Sequence, residues 1–438
     1  MKYYYLGGKI MSNADLYQKF LSSTGISTDT RMITPGSVFF ALKGPKFNAN
    51  EFAAEALKKG AAYAVVDEKQ FVVSDKCILV DDGLKALQDL ARYHRSQLKI
   101  PVIALTGSNG KTTSKELLSI VLSQEFKTLA TKGNLNNHIG VPLTILSINS
   151  SIEIAVIEMG ANHVGEIAEL CSIANPTHGF ITNIGKAHIG TFGGFENIVK
   201  GKTELYDHLV KNKGTFFVND DNKLLAGIAR KLREEFQVPI FWYPTRDCYL
   251  ISSDPFLLIH AQNEYDVQTQ LTGAYNFENV AAAMCIGTFF GVDPVKANSA
   301  ISAYTPSNMR SQIVKKDTNT IILDAYNANP SSMSAAIENI AAMKADRKAL
   351  ILGDMFELEE EAEKEHKAIG KLIKDKGFKD VYLCGVLFKS ALSEIPNAKQ
   401  FDKRDQLIEE LKKSPIKNST ILVKASRGIG LEAIVDYL

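Results

Sequence analysis

The run Thr106-Gly107-Ser108-Asn109-Gly110-Lys111-Thr112-Thr113 carries the residue types that hold a triphosphate. Glycines let backbone N–H groups wrap an anion, and a helix beginning at once adds partial positive charge at its first turn. Lys111 has the reach for β- and γ-phosphates, and the Thr112 hydroxyl can bind Mg²⁺. The spacing is shorter than G-x-x-x-x-G-K-[ST], which would need glycine where Leu105 stands; the first glycine comes two residues later, at Gly107. An ordinary glycine-rich strand-to-helix turn is the plain alternative, and Lys111 with the double threonine weighs against it.

A strand, Val102 to Leu105, and a helix, Thr112 to Leu122, must hold that loop. Before it, Val38 to Leu42, Ala62 to Val66 and Cys77 to Val80 read as strands, with helices over Glu51 to Lys59 and about Leu84 to Leu98. After it, Ile154 to Ile157, Gly179 to Thr182 and Thr215 to Val218 have the continuous apolar character of buried parallel strands. From about Ile240 to Leu271 closely spaced strands suggest a small antiparallel excursion, followed by a helix from Phe277 to Phe290. Thr320 to Leu323, Ala349 to Leu352, Val381 to Cys384 and Ile421 to Val423 repeat the α/β theme. Pro101 and the turn-rich Tyr304-Thr305-Pro306-Ser307-Asn308 punctuate the chain, so three α/β domains are expected over 1–99, 100–305 and 306–438.

Bulk properties narrow the class. Lys+Arg 50 against Asp+Glu 49 gives no general attraction to nucleic acid or anionic membrane. The five cysteines are scattered with no C-x-x-C pair, which argues against structural zinc and a disulfide framework and fits a reducing compartment. The N-terminus lacks the apolar core of a signal peptide, and no stretch approaches the roughly 18 apolar residues of a membrane span. A cytoplasmic protein is expected, without membrane insertion or a nucleic-acid partner; nothing indicates a stable oligomer, so a monomer is expected.

Several separated segments together resemble the Mur ligases, which add amino acids or dipeptides to the UDP-muramoyl precursor of peptidoglycan. Ser27-Thr28-Asp29-Thr30-Arg31 and Pro35 to Gly44, with Lys43, resemble the uridine-nucleotide domain of that family's later enzymes. The short loop itself, Asn134 to Pro142, Glu158-Met159-Gly160-Ala161, Thr182 to Gly185 with Ala187-His188, and Lys200 to Leu205 follow in order. Asp324 to Met333, Gly353-Asp354-Met355 with Glu357-Leu358 and His366, and Val423 to Arg427 resemble the MurF type, and the D-N-P-R motif of the diamino-acid-adding type is absent. Two departures stand out: Asn48-Ala49-Asn50 replaces an Asp-Gly-His-like turn, and His138 replaces an acidic residue.

The resemblance implies a three-domain architecture: a UDP-muramoyl substrate-binding domain, a central P-loop-type parallel-sheet domain binding ATP, and a Rossmann-like C-terminal domain. It implies ATP-dependent ligation of D-alanyl-D-alanine to UDP-N-acetylmuramoyl-tripeptide through an acyl phosphate. Gly107, Ser108, Asn109, Gly110, Lys111, Thr112, Thr113, Asn279, Arg310 and Asp324 would meet ATP. Thr28, Asp29, Thr30, Arg31, Lys43, Asn136, Asn137, Tyr326, Asn327 and Asn329 would meet the other substrates. One Mg²⁺ fits Thr112 and Glu158, oxygen ligands of the kind magnesium prefers; a second would be held by His188 and by Lys202, carbamylated as the matching lysine of the family often is. Lys111, Glu158, His188 and Lys202 would be the catalytic set.

Each residue also has a blander reading: Lys202 as a surface lysine of the helix Phe195 to Leu209, Glu158 as a buried paired carboxylate, His188 as a loop histidine, and Asn279 as a helix-start residue. Pro330 and Ser331 could be structural start signals, and the acidic run Glu357, Glu359, Glu360, Glu361, Glu363 reads as a solvated helix face. A diamino-acid-adding sister ligase or a folylpolyglutamate synthetase is the nearest rival function. A nucleotide-binding switch or kinase is the rival from another class.

Overall fold

A computed structural model describes residues 4–6, 9–261 and 264–438. Four principal sheets organise the chain. The first has the order Lys9–Met11, Tyr4–Leu6, Cys77–Leu79, Tyr63–Val66, Val38–Phe40, Ile26–Ser27, parallel except for Tyr4–Leu6, which runs antiparallel to both its neighbours. The second, wholly parallel, has the order Thr128–Ala130, Ile154–Glu158, Val102–Thr106, His178–Ile181, Thr215–Asn219, Ile240–Tyr243. Strands Tyr249–Ser252, Leu258–His260 and Asp266–Gln268 form a small antiparallel sheet. The last sheet has the order Gln312–Lys316, Asn319–Asp324, Thr420–Lys424, Lys348–Gly353, Asp380–Cys384, Lys399–Phe401, antiparallel only at Gln312–Lys316.

The central sheet is buried on both faces, which is why its strands read as continuous apolar runs. Along Val102–Thr106, Val102 and Ala104 pack into one core with Ile145, Leu170 and Leu205, while Ile103 and Leu105 pack into another with Leu117, Leu118 and Val280. Chain order and spatial order diverge at this strand: the chain crosses to the far edge at Thr128–Ala130, returns through Ile154–Glu158, then jumps to His178–Ile181 on the other side. Ligands of open α/β sheets bind at such a switch, beyond the carboxyl ends of the strands. Here the loops after Thr106, Glu158 and Ile181 come together.

Three expectations need correction. Ile240–Tyr243 is the sixth parallel strand of the central sheet, not the start of the antiparallel excursion, because the 14-residue helix Lys223–Phe236 makes a crossover that returns it beside Thr215–Asn219. The helix expected from Glu51 is α-helical only over Ala53–Lys58; a 3₁₀ turn, Ala49–Phe52, precedes it with Asn48 accepting from the Asn50 N–H. The acidic run is not one solvated face: Glu359–Glu361 is a separate 3₁₀ turn ahead of the helix Ala362–Asp375, and Glu357 points back across a domain junction. No helix among the described residues is long and apolar enough to cross a membrane.

Candidate active site

The helix Lys111–Leu122 opens from Gly110, which adopts φ 77° and offers no capping side chain, so the first-turn N–H groups are left for an anion. Gly107 is required on two counts: its φ is 148°, and a Cβ there would lie 2.0 Å from Thr182 Oγ1. A Cβ on Gly110 would meet Asn279 Oδ1 at 2.6 Å. Loop and helix start are thus clamped between the loop after His178–Ile181 and the helix Asn276–Phe289. The Asn109 N–H donates to Asn183 Oδ1 at 3.0 Å, and Thr182 Oγ1 donates to the Asn109 carbonyl at 2.6 Å. Ser108 and Gly185 exchange hydrogen bonds, Ser108 Oγ to the Gly185 carbonyl at 3.0 Å and the Gly185 N–H to Ser108 Oγ at 2.9 Å.

Lys111 Nζ folds onto its own loop, donating to the Gly107 carbonyl at 2.6 Å. Burial pulls this amine down to about 8, opposed by Glu158 and assisted by Arg310. Glu158 ends its strand almost fully buried; Oε1 accepts from Asn136 Nδ2 at 2.8 Å and Thr112 Oγ1 at 3.3 Å, whereas Oε2 has no hydrogen-bond partner. Lys115 Nζ stands 3.8 Å from that oxygen. A buried carboxylate oxygen without a hydrogen bond, next to a threonine hydroxyl, is a donor set that suits a hard divalent cation. Among the described residues no group of three or more His, Cys, Asp and Glu could hold a metal ion unaided. A cation here would therefore draw its remaining oxygens from phosphates and water, as magnesium usually does.

These residues line a cleft of about 830 Å³ whose other wall is the C-terminal sheet. Arg310, Asp324, Tyr326, Asn327 and Asn329 all reach it, as do Asn136, Asn137, His188 and Asn279. Asp324 Oδ2 pairs with Lys424 Nζ at 2.6 Å, the two occupying adjacent strand ends in register. Arg310 stacks on Tyr326, 3.9 Å from the ring centre, with Arg427 also over that ring at 5.1 Å. Asn329 caps the helix Pro330–Ala342 and also donates from Nδ2 to Asn109 Oδ1 at 2.8 Å, tying the phosphate loop to the third domain. Pro330 is a structural start signal as expected, but Ser331 is not: the capping partner of Asn329 is Ser332, and Ser331 accepts from the Lys186 N–H at 2.9 Å across the junction. Asn279 is both buried helix start and cleft lining: Oδ1 accepts from Ser114 Oγ and Nδ2 donates to Asn276 Oδ1.

Lys202 is no surface lysine. It is 1% exposed on the helix Phe195–Lys211, donates to the Ala161 carbonyl at 3.1 Å and lies over the Phe192 ring. Burial first, then the Lys111 charge, brings it down to about 7, with Glu166 and Glu204 opposing. It sits behind the cleft wall rather than on it, Ala161 being the lining residue. His188, in a left-handed conformation at φ 56°, has Nδ1 at 2.6 Å from Glu357 Oε2. That contact is poorly aligned as a hydrogen bond, yet close enough to hold the Glu357 carboxyl below its usual value.

The N-terminal candidates do not join this cleft. Arg31 pairs with Asp29 at 2.6 Å on the surface, Asp29 capping the turn Thr30–Met32, and Thr28 and Thr30 flank it. Lys43 lies 3.0 Å from Asp67 and 3.2 Å from Glu68, beside a buried Asn50 that bonds Asp67 through both ends of its amide. Lys424, Lys115 and Glu357 were not singled out from sequence as site residues. Lys424 carried a usable signal, a lysine closing an apolar strand.

Two family models match: the Mur ligase middle domain over residues 105–287, and the Mur ligase, glutamate ligase domain over 309–427. The UDP-N-acetylmuramoyl-tripeptide–D-alanyl-D-alanine ligase of Bacillus subtilis (strain 168) is 34% identical over 94% of this chain and 93% of its own length. The chain belongs to the MurF-type Mur ligases. The Escherichia coli (strain K12) ligase of the same name is likewise 34% identical, over 97% of this chain and 96% of its own. A crystal structure of MurF from Acinetobacter baumannii superposes with a TM-score of 0.85 at 29% identity, covering 97% of this chain and 98% of that one. MurF from Thermotoga maritima in complex with ADP gives 0.82 at 26% identity, covering 95% and 97%. The three-domain Mur ligase architecture expected from the sequence is therefore that of this ligase, and the rival folate and kinase readings fall away.

Proposed function

We propose that this Mur ligase joins D-alanyl-D-alanine to UDP-N-acetylmuramoyl-tripeptide at the expense of ATP, the last cytoplasmic step of UDP-muramoyl-pentapeptide synthesis. The observation that carries the reading is that the phosphate loop and the Asp324–Asn329 segment open into the same cleft, in a chain alike over nearly its full length to ligases of that name. The tripeptide carboxylate attacks the γ-phosphorus of ATP and ADP leaves; the amine of D-alanyl-D-alanine then attacks the acyl carbon and phosphate leaves.

Bringing a carboxylate to a triphosphate gathers negative charge, so positioning and neutralisation should dominate. The N–H groups at the start of Lys111–Leu122 and the Lys111 ammonium cradle the phosphates. Arg310 approaches from the third domain, Asp324 receives the ribose, and Asn279 faces the adenine. Thr112 and Glu158 would hold one Mg²⁺ and His188 a second, which would supply neutralisation of the phosphates and the acyl group. Lys202, brought by burial down to about 7, has a neutral fraction near pH 7 that is fit to take up CO₂ as a carbamate, which would give the second position an anionic oxygen. Asn136 and Asn137 would border the muramoyl peptide, Tyr326, Asn327 and Asn329 the dipeptide, and Thr28 to Arg31 with Lys43 the uridine nucleotide. Domains over 1–99, 100–305 and 306–438, a cytoplasmic location and a monomeric state complete the proposal.

Phosphate release measured with each acceptor tests it. Release that requires UDP-muramoyl-tripeptide together with D-alanyl-D-alanine is expected; release with L-lysine or L-glutamate in place of the dipeptide would overturn it.

A further inference from the structure

The acceptor amine enters the reaction as an ammonium ion, and a cleft built for phosphates offers it little. The carboxylates that line the cleft are mostly committed. Glu158 takes Asn136 and Thr112, Glu166 takes the N–H groups of Asn162 and His163, Glu169 takes Gln88, and Asp324 takes Lys424, while Glu278 lies at the start of the central-domain helix Asn276–Phe289 beside Asn279. Asp324 and Glu357 are the two that the third domain contributes, and of these only Glu357 has no lysine or arginine among the ion pairs of the described residues.

Glu357 is also held in place at a cost. It is a non-glycine residue at φ 63°, the left-handed region, where side chains are disfavoured and where strain tends to mark functional positions. The segment it belongs to is pressed onto the central domain: a Cβ on Gly190 would come within 2.9 Å of both Leu358 and Glu359. Leu358 is buried, while Glu357 itself stays open to the cleft, with Oε2 at 2.6 Å from His188. The chain is thus fixed on both sides of a carboxylate that faces the region where the acyl group would lie.

We propose that Glu357 is the anchor for the ammonium group of the incoming dipeptide, holding it beside His188 so that, once one proton has passed to water, the amine lone pair faces the acyl carbon. The inference rests on the ligase reading above and adds the residue that recognises the amine. It separates Glu357 from the residues that make the acyl phosphate, because only the second half of the reaction involves an amine.

Hydroxylamine gives the test. It is uncharged at neutral pH and attacks an acyl phosphate to give the hydroxamate and phosphate, needing no carboxylate to hold a cation. In Glu357→Gln, KM for D-alanyl-D-alanine is expected to rise about tenfold or more, the usual effect of losing a hydrogen bond to a charged group. Hydroxamate formation from UDP-muramoyl-tripeptide, ATP and hydroxylamine should stay within about twofold of wild type, and Glu357→Asp should recover part of the dipeptide affinity. An unchanged KM for the dipeptide overturns the proposal. So does a parallel loss of ligation and hydroxamate, which would make Glu357 a part of domain closure or of the cation site. Wild-type enzyme that forms hydroxamate but no dipeptide product would instead defeat the substrate reading on which this one stands.

Discussion

On and behind the central-domain wall of the cleft the lysines are under-neutralised: the half-buried Lys111 donates only to loop carbonyls, and desolvation holds it, and Lys202 behind the wall, far below the usual lysine value. On the third-domain wall the cations already have partners. Lys424 is matched to Asp324, and Arg310 and Arg427 lie over the ring of Tyr326. The first wall is a field waiting for an anion. The second is largely paired within itself, Arg310 Nε alone of its cationic side chains being buried without a hydrogen bond among the described residues, and it positions what the first wall activates.

Removing the central field should have the largest consequence. Lys111→Met is expected to lower kcat/KM for ATP by about a thousandfold without lowering the melting temperature, since a half-buried, desolvated amine is replaced by an apolar side chain of similar length. A lower melting temperature would show that Lys111 holds the fold as well as the phosphates. Breaking the other wall should do the reverse and strike stability first. Lys424→Met leaves Asp324 semi-buried and unpaired, a loss of about 3 kcal/mol by calorimetry. Adding Asp324→Asn should restore much of that loss while leaving activity low.

A pH profile sharpens the contrast. Lys111 is a cation below about 8 and neutral above it, so kcat/KM for ATP should fall as pH rises through that value, because the free enzyme then lacks the charge. Lys111→Arg should shift this limb upward; a limb that stays in place belongs to another group. A smaller effect is expected where the walls touch. Asn109→Ala and Asn329→Ala should each weaken ligation, and a double-mutant cycle should return a coupling of about 1 kcal/mol. Additive losses would mean that the 2.8 Å bond between them transmits nothing. Smallest of all, Arg31→Ala should leave the melting temperature unchanged, its partner Asp29 being exposed, and raise KM for the UDP substrate a few-fold.

Legibility followed sequence locality. The phosphate loop needed only a strand, two glycines and a helix start within a dozen residues, and the structure places them as read. Ile240–Tyr243 was misassigned because an apolar run does not say which neighbour it will pair with; the crossover helix settled that. Asp324 and Lys424 are 100 residues apart, so their pairing had no local signal. Lys202 looked like a helix-face lysine because helical periodicity cannot tell which face another helix and a loop will cover.

The sequence by itself therefore determined the phosphate loop, the α/β succession of strands and helices, and, through the order of its motifs, the kind of ligase. Those properties depend on backbone preferences and residue types within short spans. Tertiary structure alone decided that Glu158 would keep one carboxylate oxygen without a hydrogen bond, that burial would bring Lys202 down to about 7, and that Glu357 would leave an acidic run to face His188. Desolvation and charge pairing are set by what packs around a group, and packing is a property of the folded chain.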